Sequence, residues 1–302
     1  MPELPEVETI RQGLSTHVVG SRILSVEVSH PRVLRNQPGG EDELRGLTNG
    51  WEITGVQRRG KYLWLTLGDQ NTPVSHALLI HLGMSGQVLL KDSPTEGHRH
   101  LRVAFTLENH QGDQRHMWFV DQRMFGYVTA LEVVPDPHGQ GFIPESMPHI
   151  GPDLLEPALA LGSPTRVETN RAIRRSKRGI KAVLLDQCVI SGIGNIYADE
   201  ALWRTRLHYA RPASRLSAGH VEELLQATTA VLNEALRAGG TSFDALYVNV
   251  AGEQGYFERS LQAYGRCDQP CYRCGSVIVR EVFMNRSSFR CPRCQRRPRV
   301  TR

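Results

Sequence analysis

The first twenty residues alternate apolar and polar side chains with the period of an α-helix. Val7, Ile10, Leu14 and Val18 recur at intervals of three or four residues, which places them on one helix face. Pro5 suits the first turn of a helix, where its missing N–H leaves no hydrogen bond unmade. The pattern predicts an amphipathic helix that packs on a core.

After this helix the pattern changes to the two-residue alternation of β-strands. The run LRVAFTLE from 101 to 108 has a half-buried alternation, and the overlapping ENHQGD is typical of a turn. Further strand-like runs are ILSVEV, WEITGVQ, YLWLTL, HALLIHL and RHMWFV. We therefore expect an α+β fold in which residues 1–134 form one helix and a β-sandwich.

The middle of the chain is rich in residues that break helices and strands. Seven of the seventeen prolines lie from Pro135 to Pro164, together with four glycines. Such a stretch does not sustain a long helix or a central strand. It predicts a linker over residues 135–166.

Beyond the linker the periodicity is helical. The clearest run is SAGHVEELLQATTAVLNEALRAGG, with Ser217 as a candidate N-cap and Gly239 and Gly240 at the C-terminal end. We expect a helical domain over 167–258 and a separate C-terminal module over 259–302.

Composition excludes a membrane protein. An apolar content of 40% fills two cores in a chain of 302 residues, and no run approaches the length of a membrane span. The N-terminus is acidic and lacks a hydrophobic signal segment. We therefore expect a cytoplasmic protein with no membrane partner.

The positive charge is concentrated in two segments. Residues 259–302 carry eleven arginines and two acidic residues, a local charge of +9, whereas the remaining 258 residues sum to −4. Residues 171–181 hold six positive side chains and no acidic one. One such basic segment alone is most simply explained as a charged surface exposed to solvent. Two basic segments in one chain favour a polyanionic partner such as DNA.

Four of the six cysteines form two C-x-x-C pairs separated by sixteen residues. They are Cys271, Cys274, Cys291 and Cys294. This spacing presents four thiolates tetrahedrally to one structural Zn²⁺, as in a zinc ribbon, and leaves the metal no open position for chemistry. Two disulfides are the alternative, which a chain without an export signal disfavours. Cys267 replaces Cys271 as a ligand only if the tight spacing is abandoned, and Cys188 is expected to be a small buried hydrophobe.

Between the cysteine pairs, the run GSVIVREVFMNRSSFR has strand character and a polar tip. A hairpin with this sequence places Arg286, Arg290 and Arg293 at or near its tip. Arginines in such a position are suited to DNA phosphates.

A glycine turn precedes a helix in the run ISGIGNIYADEAL. Gly192 and Gly194 come directly before a helix that starts near Asn195, and such a turn exposes backbone N–H groups at a helix N-terminus. A tight joint between two helices is the alternative. Because Lys181 and the basic segment 171–181 lie just upstream, we favour a DNA phosphate site.

Several segments together resemble bacterial formamidopyrimidine-DNA glycosylases. These are PELPEVET at the start, QRRGKYL at 57–63, HLGMSG at 81–86, GIGNIYADE at 192–200, GYF and YGR before the ribbon, and the zinc ribbon itself. They occur in the family's order over nearly the whole chain. The resemblance implies a helix-two-turn-helix motif in the helical domain. It also implies a monomeric, nucleoid-associated enzyme that releases oxidised purines such as 8-oxoguanine and formamidopyrimidines from double-stranded DNA, then cuts the strand.

The resemblance makes Pro2 the nucleophile. Once Met1 is removed, Pro2 is a secondary amine at the chain terminus. Since an α-amino group has a pKa of about 8 and a lysine about 10.4, the terminus offers roughly 250 times more neutral amine at pH 7. Its attack on the sugar gives an iminium that serves as an electron sink for β- and then δ-elimination. The neighbouring Glu3 is the natural proton shuttle.

The resemblance assigns further residues position by position. Lys61 and Arg286 join the catalytic set, although a strand lysine is by default a solvated charge. Met84, Arg123 and Phe125 would fill the gap left by the flipped nucleotide, with Arg123 facing the orphaned cytosine. As an alternative, Met84 and Phe125 are ordinary core residues. The remaining DNA-contacting residues are His100, Lys181, Asn195 and Tyr264, and the segment 241–257 matches the loop that closes over a flipped purine.

The chain departs from the family in DQRMFG, where DPRRFG is usual. Gln122 replaces the proline and Met124 replaces the second arginine. These two replacements affect the rigidity of the loop and the strength of its preference for the opposite base. Leu4, in place of the glycine of endonuclease VIII, favours oxidised purines. The alternatives are an endonuclease VIII-like glycosylase for oxidised pyrimidines and a non-catalytic zinc-ribbon DNA-binding protein. The latter explains the basic segments but not Pro2 beside Glu3.

Overall fold

Contacts divide the chain into two compact units. The computed structural model describes residues 2–69, 71–72, 74–93, 97–139, 141–240, 249–251, 253 and 257–298. The first unit comprises Met1–His149 with Ala238–Tyr256, and the second comprises Ile150–Arg237 with Phe257–Arg302. The helical segment and the cysteine-rich module therefore belong to one unit, and the division near residue 149 falls within the predicted linker.

In its described residues, the first unit has two α-helices and nine strands. The helices are α1 (Leu4–His17) and α2 (Gly40–Thr48). The strands are β1 (Arg22–Val28), β2 (Glu52–Arg59), β3 (Tyr62–Gly68), β4 (His76–His81), β5 (Gly86–Lys91), β6 (Leu101–Glu108), β7 (Gln114–Asp121), β8 (Tyr127–Pro135) and β9 (Phe142–Pro144).

The nine strands form the predicted β-sandwich. Neighbouring strands are hydrogen bonded in the order β5-β7-β6-β1-β2-β3-β4-β8-β9. Strands far apart in this order share one core, since Val88 of β5 and Phe119 of β7 join the same buried cluster as Ile80 of β4 and Val128 of β8. A sheet whose distant strands bury their side chains together has folded into two facing layers.

The periodicity of the N-terminal segment is confirmed by α1. Val7, Ile10, Leu14 and Val18 are all buried in the sandwich core. The strand-like runs are confirmed as β1, β2, β3, β4, β6 and β7, whereas α2, β5, β8 and β9 were not predicted. Because Val134 pairs with Ile143, the start of the predicted linker is part of the sheet instead.

The described part of the second unit combines four α-helices and a hairpin. They are α3 (Pro164–Arg175), α4 (Ile180–Leu184), α5 (Asn195–Arg204), α6 (Ala218–Arg237), β10 (Val279–Phe283) and β11 (Arg286–Arg290). The hydroxyl of Ser217 accepts the N–H of His220 at 3.2 Å, so Ser217 caps α6 as predicted. Gly239 and Gly240 follow with φ of +74° and +90°. No helix in the described ranges has the length and apolarity to cross a membrane.

The prediction for Cys188 is wrong. Its thiol is exposed instead of buried. The residue lies after α4 in a turn in which Asp186 Oδ1 accepts the Cys188 N–H at 3.1 Å. This bond closes a tight surface turn, so the apolar neighbours in LLDQCVI do not carry Cys188 into the core.

Candidate functional site

The predicted nucleophile and proton shuttle lie at the start of α1. Pro2 and Glu3 are both buried. Glu3 and Glu6 form a capping box, in which the Glu3 N–H donates to Glu6 Oε2 at 2.8 Å. Gly240 fits closely against this box, because a Cβ at that glycine would lie 3.3 Å from the Glu6 side chain. The start of α1 is therefore fixed by hydrogen bonds between carboxylates and backbone N–H groups and by close packing.

A buried ion pair joins α1 to the strand that leads to Lys61. Glu8 Oε2 accepts from Arg58 Nε at 2.8 Å, and Glu8 Oε1 accepts from Arg11 at 2.9 Å. Burial by itself would raise the pKa of Glu8, but the hydrogen bonds from Arg11 and Arg58 outweigh it and lower that pKa. The ionised pair therefore fixes the end of β2 on α1, the helix that follows Pro2 and Glu3.

Lys61 lies in the tight turn between β2 and β3 and is 7% exposed. The preceding Gly60 has φ of +56°, a conformation that glycine adopts without strain. A second buried pair, Arg59 with Asp136 at 2.7 Å, holds the same strand end. The backbone of Lys61 is thus held by a tight turn and a paired strand end.

His81, at the end of β4, is a neutral imidazole in this region. Burial lowers the pKa of His81 to about 4, and the positive charges of Lys61 and Arg35 add to the effect. Its Nδ1 accepts the Gly83 N–H at 3.2 Å. The ring stacks on Tyr127 at 5.3 Å between centroids. We did not single out His81 from the sequence, although it begins the HLGMSG motif.

Two interlocked turns carry the side chains predicted to enter DNA. Met84 lies on the turn after β4, and Arg123 and Phe125 lie on the turn between β7 and β8. A Cβ on Gly83 would lie 2.3 Å from the Phe125 carbonyl carbon, so only glycine permits this approach. Phe125 is 47% exposed, which excludes the alternative that it is an ordinary core residue. The structure therefore brings together the two turns that carry the three predicted side chains. We call residues 122–126 the insertion turn.

A buried carboxylate shapes the insertion turn from within. Asp121 accepts hydrogen bonds from the Ser85 hydroxyl, from the Gly126 N–H at 2.7 Å and from the Arg123 N–H at 3.2 Å. The turn contains Met124 at φ of +55°, a left-handed conformation that is uncommon outside glycine. One acidic side chain thus binds both the Met84 turn and the insertion turn.

His100 lies beside the same structure. Its carbonyl accepts the Asp121 N–H at 3.0 Å, and its Nδ1 is 3.3 Å from the guanidinium of Arg102. Arg102 Nε in turn donates to the Asp121 carbonyl at 2.8 Å. The predicted DNA contact His100 therefore neighbours the insertion turn.

In the second unit, the glycine turn and the hairpin meet at Asn195. Gly192 has φ of +88°, and Gly194 is the N-cap of α5, which begins at Asn195 as predicted. Asn195 Nδ2 donates to the Ser287 carbonyl of β11 at 2.8 Å. Ser287 follows Arg286, which is exposed at the hairpin tip. Two of the predicted phosphate contacts, Asn195 and Arg286, therefore lie next to each other.

The prediction for Lys181 is contradicted by its burial. The side chain has no exposed surface, and its ammonium donates to Asp199 Oδ1 at 2.7 Å and to Ser288 Oγ at 3.0 Å. Asp199 also accepts the Phe289 N–H at 2.8 Å. In this arrangement Lys181 connects α4, α5 and β11 and does not reach a phosphate at the surface. The basic run upstream gave no signal of this partner, which lies eighteen residues away.

Tyr264 is held near the hairpin by a second buried acid. The carboxylate of Glu200 accepts the backbone N–H groups of Gln262, Ala263 and Tyr264 at 2.8 to 2.9 Å. Burial nonetheless raises the pKa of Glu200. The Tyr264 ring lies 4.9 Å from that of Phe289. Tyr264 thus packs against β11, the strand that begins at Arg286.

The four predicted zinc ligands are gathered in one place. Their sulfur atoms all lie within 4.8 Å of one another, and Cys267 is outside this group. Tetrahedral zinc with bonds of about 2.3 Å requires sulfurs about 3.8 Å apart, so the donor set fits the metal. The indole N–H of Trp203 donates to Cys271 Sγ at 3.4 Å. Zinc here is a single structural ion, held by two cysteines before β10 and two after β11.

The sequence matches three family models along its length. Residues 1–128 match the formamidopyrimidine-DNA glycosylase N-terminal domain, residues 154–246 match the H2TH domain of the same enzymes, and residues 268–297 match the zinc finger found in FPG and IleRS.

Similar proteins cover the whole chain. It is 52% identical over 299 residues to the formamidopyrimidine-DNA glycosylase of Acidothermus cellulolyticus, with 99% of each chain covered. It is 50% identical to that of Thermobifida fusca, with 100% of each covered. Among solved structures, the complex of Lactococcus lactis Fpg with DNA containing an abasic site has a TM-score of 0.80 and 28% identity. That match covers 98% of this chain and 100% of the other.

Proposed function

Because the chain belongs to the formamidopyrimidine-DNA glycosylase family, we propose that Pro2 is its nucleophile and that oxidised purines in double-stranded DNA are its substrates. The chain is a zinc-containing base-excision repair glycosylase with AP lyase activity. The observation that carries the proposal is that the buried Pro2 directly precedes Glu3, which forms a capping box with Glu6 at the start of α1.

The mechanism uses the two functions of a secondary amine. The Pro2 nitrogen bonds to the sugar C1′ and the bond from C1′ to the base breaks, so the base leaves with its electron pair and takes up a proton. Glu3 protonates the ring oxygen as the sugar opens, and the remaining nitrogen–carbon bond becomes an iminium. The iminium acidifies the C2′ proton and, after the first elimination, the C4′ proton. Loss of each proton, with Glu3 as the shuttle, supplies the electron pair that expels the 3′ and then the 5′ phosphate. We assign Lys61, the other catalytic residue of the first unit, to contacts with the phosphate and the lesion beside this site.

Binding of DNA is divided among the remaining residues. We assign Met84, Arg123 and Phe125 to the space left by the flipped nucleotide, with His100 beside them. The phosphate contacts are assigned to three residues of the second unit: Asn195, Tyr264 and Arg286. Arg286 also belongs to the catalytic set. The loop predicted over 241–257 to close on the purine lies mostly outside the described residues. We place the enzyme as a monomer in the bacterial cytoplasm, at the nucleoid.

Reductive trapping tests the nucleophile. Enzyme, an 8-oxoguanine duplex and borohydride should give one covalent adduct, and peptide mapping should locate it on the N-terminal nitrogen. Pro5→Ala is the matched control, because it alters a proline on the same helix that has no role in the reaction, and its adduct should form normally. An adduct on Lys61, or none from a folded protein, would reject Pro2 and favour a non-catalytic DNA-binding protein.

The substrate class needs a separate comparison. Base release from 8-oxoguanine paired with cytosine should exceed release from an oxidised pyrimidine such as 5-hydroxyuracil. The support is Leu4, which is fully buried beside Glu3 and which the resemblance associates with purine substrates. Faster release of the pyrimidine would assign an endonuclease VIII-like specificity while leaving the Pro2 chemistry intact.

A further inference from the structure

Arg35 holds the insertion turn from outside. Its Nη1 donates to the Gly126 carbonyl at 2.6 Å and its Nη2 to the Phe125 carbonyl at 2.7 Å. The guanidinium also lies over the ring of Tyr127, 5.0 Å from its centroid. We propose that Arg35 is a positioning residue that keeps Arg123 and Phe125 shaped for entry into DNA, an inference that rests on the proposed function.

The segment that carries Arg35 is itself fixed to the sandwich. A 3₁₀ turn at Pro31–Leu34 precedes it, and Gln37 follows. The Gln37 Oε1 accepts the Ala130 N–H of β8 at 2.7 Å and the Thr129 hydroxyl at 3.1 Å. Arg35 therefore approaches the insertion turn from a rigid base, which is what a positioning residue requires.

This chain has a particular need for such a contact. Gln122 occupies the first position of the insertion turn, where the family usually has proline, and it is exposed. A proline ring fixes one backbone angle and reduces the conformations that a turn samples. Asp121 fixes the two ends of the turn through the Arg123 and Gly126 N–H groups. Arg35 instead donates to the Phe125 and Gly126 carbonyls, which the Asp121 carboxylate, itself an acceptor, does not bind.

The chemistry of the contact separates positioning from stability. Arg35 is exposed, so water replaces its bonds to the two carbonyls when the side chain is removed, and little folding free energy is lost. The planar guanidinium donates to both carbonyls at once, which a single lysine ammonium does not reproduce in geometry. Arg35→Ala should therefore alter the shape of the turn without unfolding the protein.

The two enzyme activities depend on the insertion turn to different extents. A paired base must leave the stacked DNA duplex before it is released, and this unstacking costs a few kcal/mol. The inserted side chains offset that cost. A preformed abasic site has no base to unstack. Base release should therefore respond to Arg35 more strongly than strand cutting at an abasic site.

The test compares these activities under single-turnover conditions in Arg35→Ala, Arg35→Lys and the control Arg32→Ala, an exposed arginine on the same short turn. We expect base release from 8-oxoguanine paired with cytosine to slow about tenfold in Arg35→Ala, in line with the cost of a displaced group near a reacting centre. Arg35→Lys should show a smaller loss. Strand cutting at a preformed abasic site and the melting temperature should stay near those of the parent, and Arg32→Ala should match the parent in every assay.

Two outcomes would overturn the positioning role. Equal losses in base release and abasic-site cutting would make Arg35 a structural or general DNA-binding residue. If Arg35 were a general DNA-binding residue, Arg35→Ala would also reduce the number of ions released on binding undamaged duplex by about one, as measured from the salt dependence of affinity. Unchanged base release in Arg35→Ala would show that Arg35 has no role in the reaction. A parent enzyme that cuts neither substrate would instead reject the proposed function, so the two failures are distinguishable.

Discussion

The two units hold their functional side chains in different ways. In the first, Pro2, Glu3 and the capping partner Glu6 are sequence neighbours, and one helix start positions all three. In the second, the hairpin is held by Asp199 and Lys181, which lie about ninety and over a hundred residues before the strand that they bind. Local geometry positions the proposed catalytic residues, whereas long-range charged bonds and a metal position the proposed phosphate contacts.

This difference predicts two kinds of loss on mutation. Removal of a locally positioned reactive group should abolish chemistry and leave the fold and DNA binding in place. Removal of a member of the long-range network should weaken the fold of the second unit, and with it DNA binding. The following tests separate the two behaviours.

The largest effect is expected at the proposed nucleophile Pro2 and its neighbour Glu3. Glu3→Gln should slow base release by about 10²- to 10⁴-fold, the usual contribution of a proton-transfer group, and Pro2→Gly by at least as much. Duplex affinity should change by less than about threefold, because neither residue is assigned a phosphate contact. Single-turnover base release and binding titrations measure both effects, with the exposed Glu27→Gln as a control. Parallel loss of binding and release would show that the pair is structural.

Breaking the buried pair should have the next largest effect. Lys181→Ala leaves Asp199 buried without its cation, which typically costs about 3 to 5 kcal/mol of unfolding free energy. Denaturant unfolding should show the transition of the second unit shifted and that of the first unit unchanged. Adding Asp199→Asn should recover part of the loss, since the uncompensated charge is removed. Unchanged stability, with a smaller salt dependence of DNA binding, would restore the original prediction that Lys181 contacts a phosphate.

The same contrast explains how far the sequence predicted the structure. The helix at Pro2, the zinc ligands and the glycine turn before Asn195 depend on spacing along a few residues, and the sequence was sufficient for them. Lys181 was misassigned because a buried partner from another helix is invisible in a local charge pattern. Arg35 and Asp121 were missed for the same reason, since their roles come from contacts with backbone groups of distant turns.

Loss of the metal should affect only one unit. Cys291→Ser or chelation should release the hairpin that carries Arg286, and we expect DNA affinity to fall about 10- to 100-fold, a usual consequence of losing charged phosphate contacts. The exposed Cys188→Ser serves as the control and should bind like the parent. Elemental analysis should give one zinc per chain in the parent. Unfolding of the β-sandwich together with the hairpin, or a parent without zinc, would contradict this division.

The smallest effect concerns the neutral imidazole of the first unit. Because the pKa of His81 is lowered to about 4, the unfolded chain, with an ordinary histidine pKa of about 6.5, binds its proton first as pH falls. The stability from this residue should be complete above pH 6.5, decline toward pH 4 and level off below. Because His81 keeps some solvent-exposed surface, we expect a loss of about 1 to 2 kcal/mol, less than the full difference between the two pKa values would give. Unfolding measurements from pH 7.5 to 4 should show a shallower decline in His81→Gln than in the parent, and identical slopes would mean that His81 titrates normally in the folded protein.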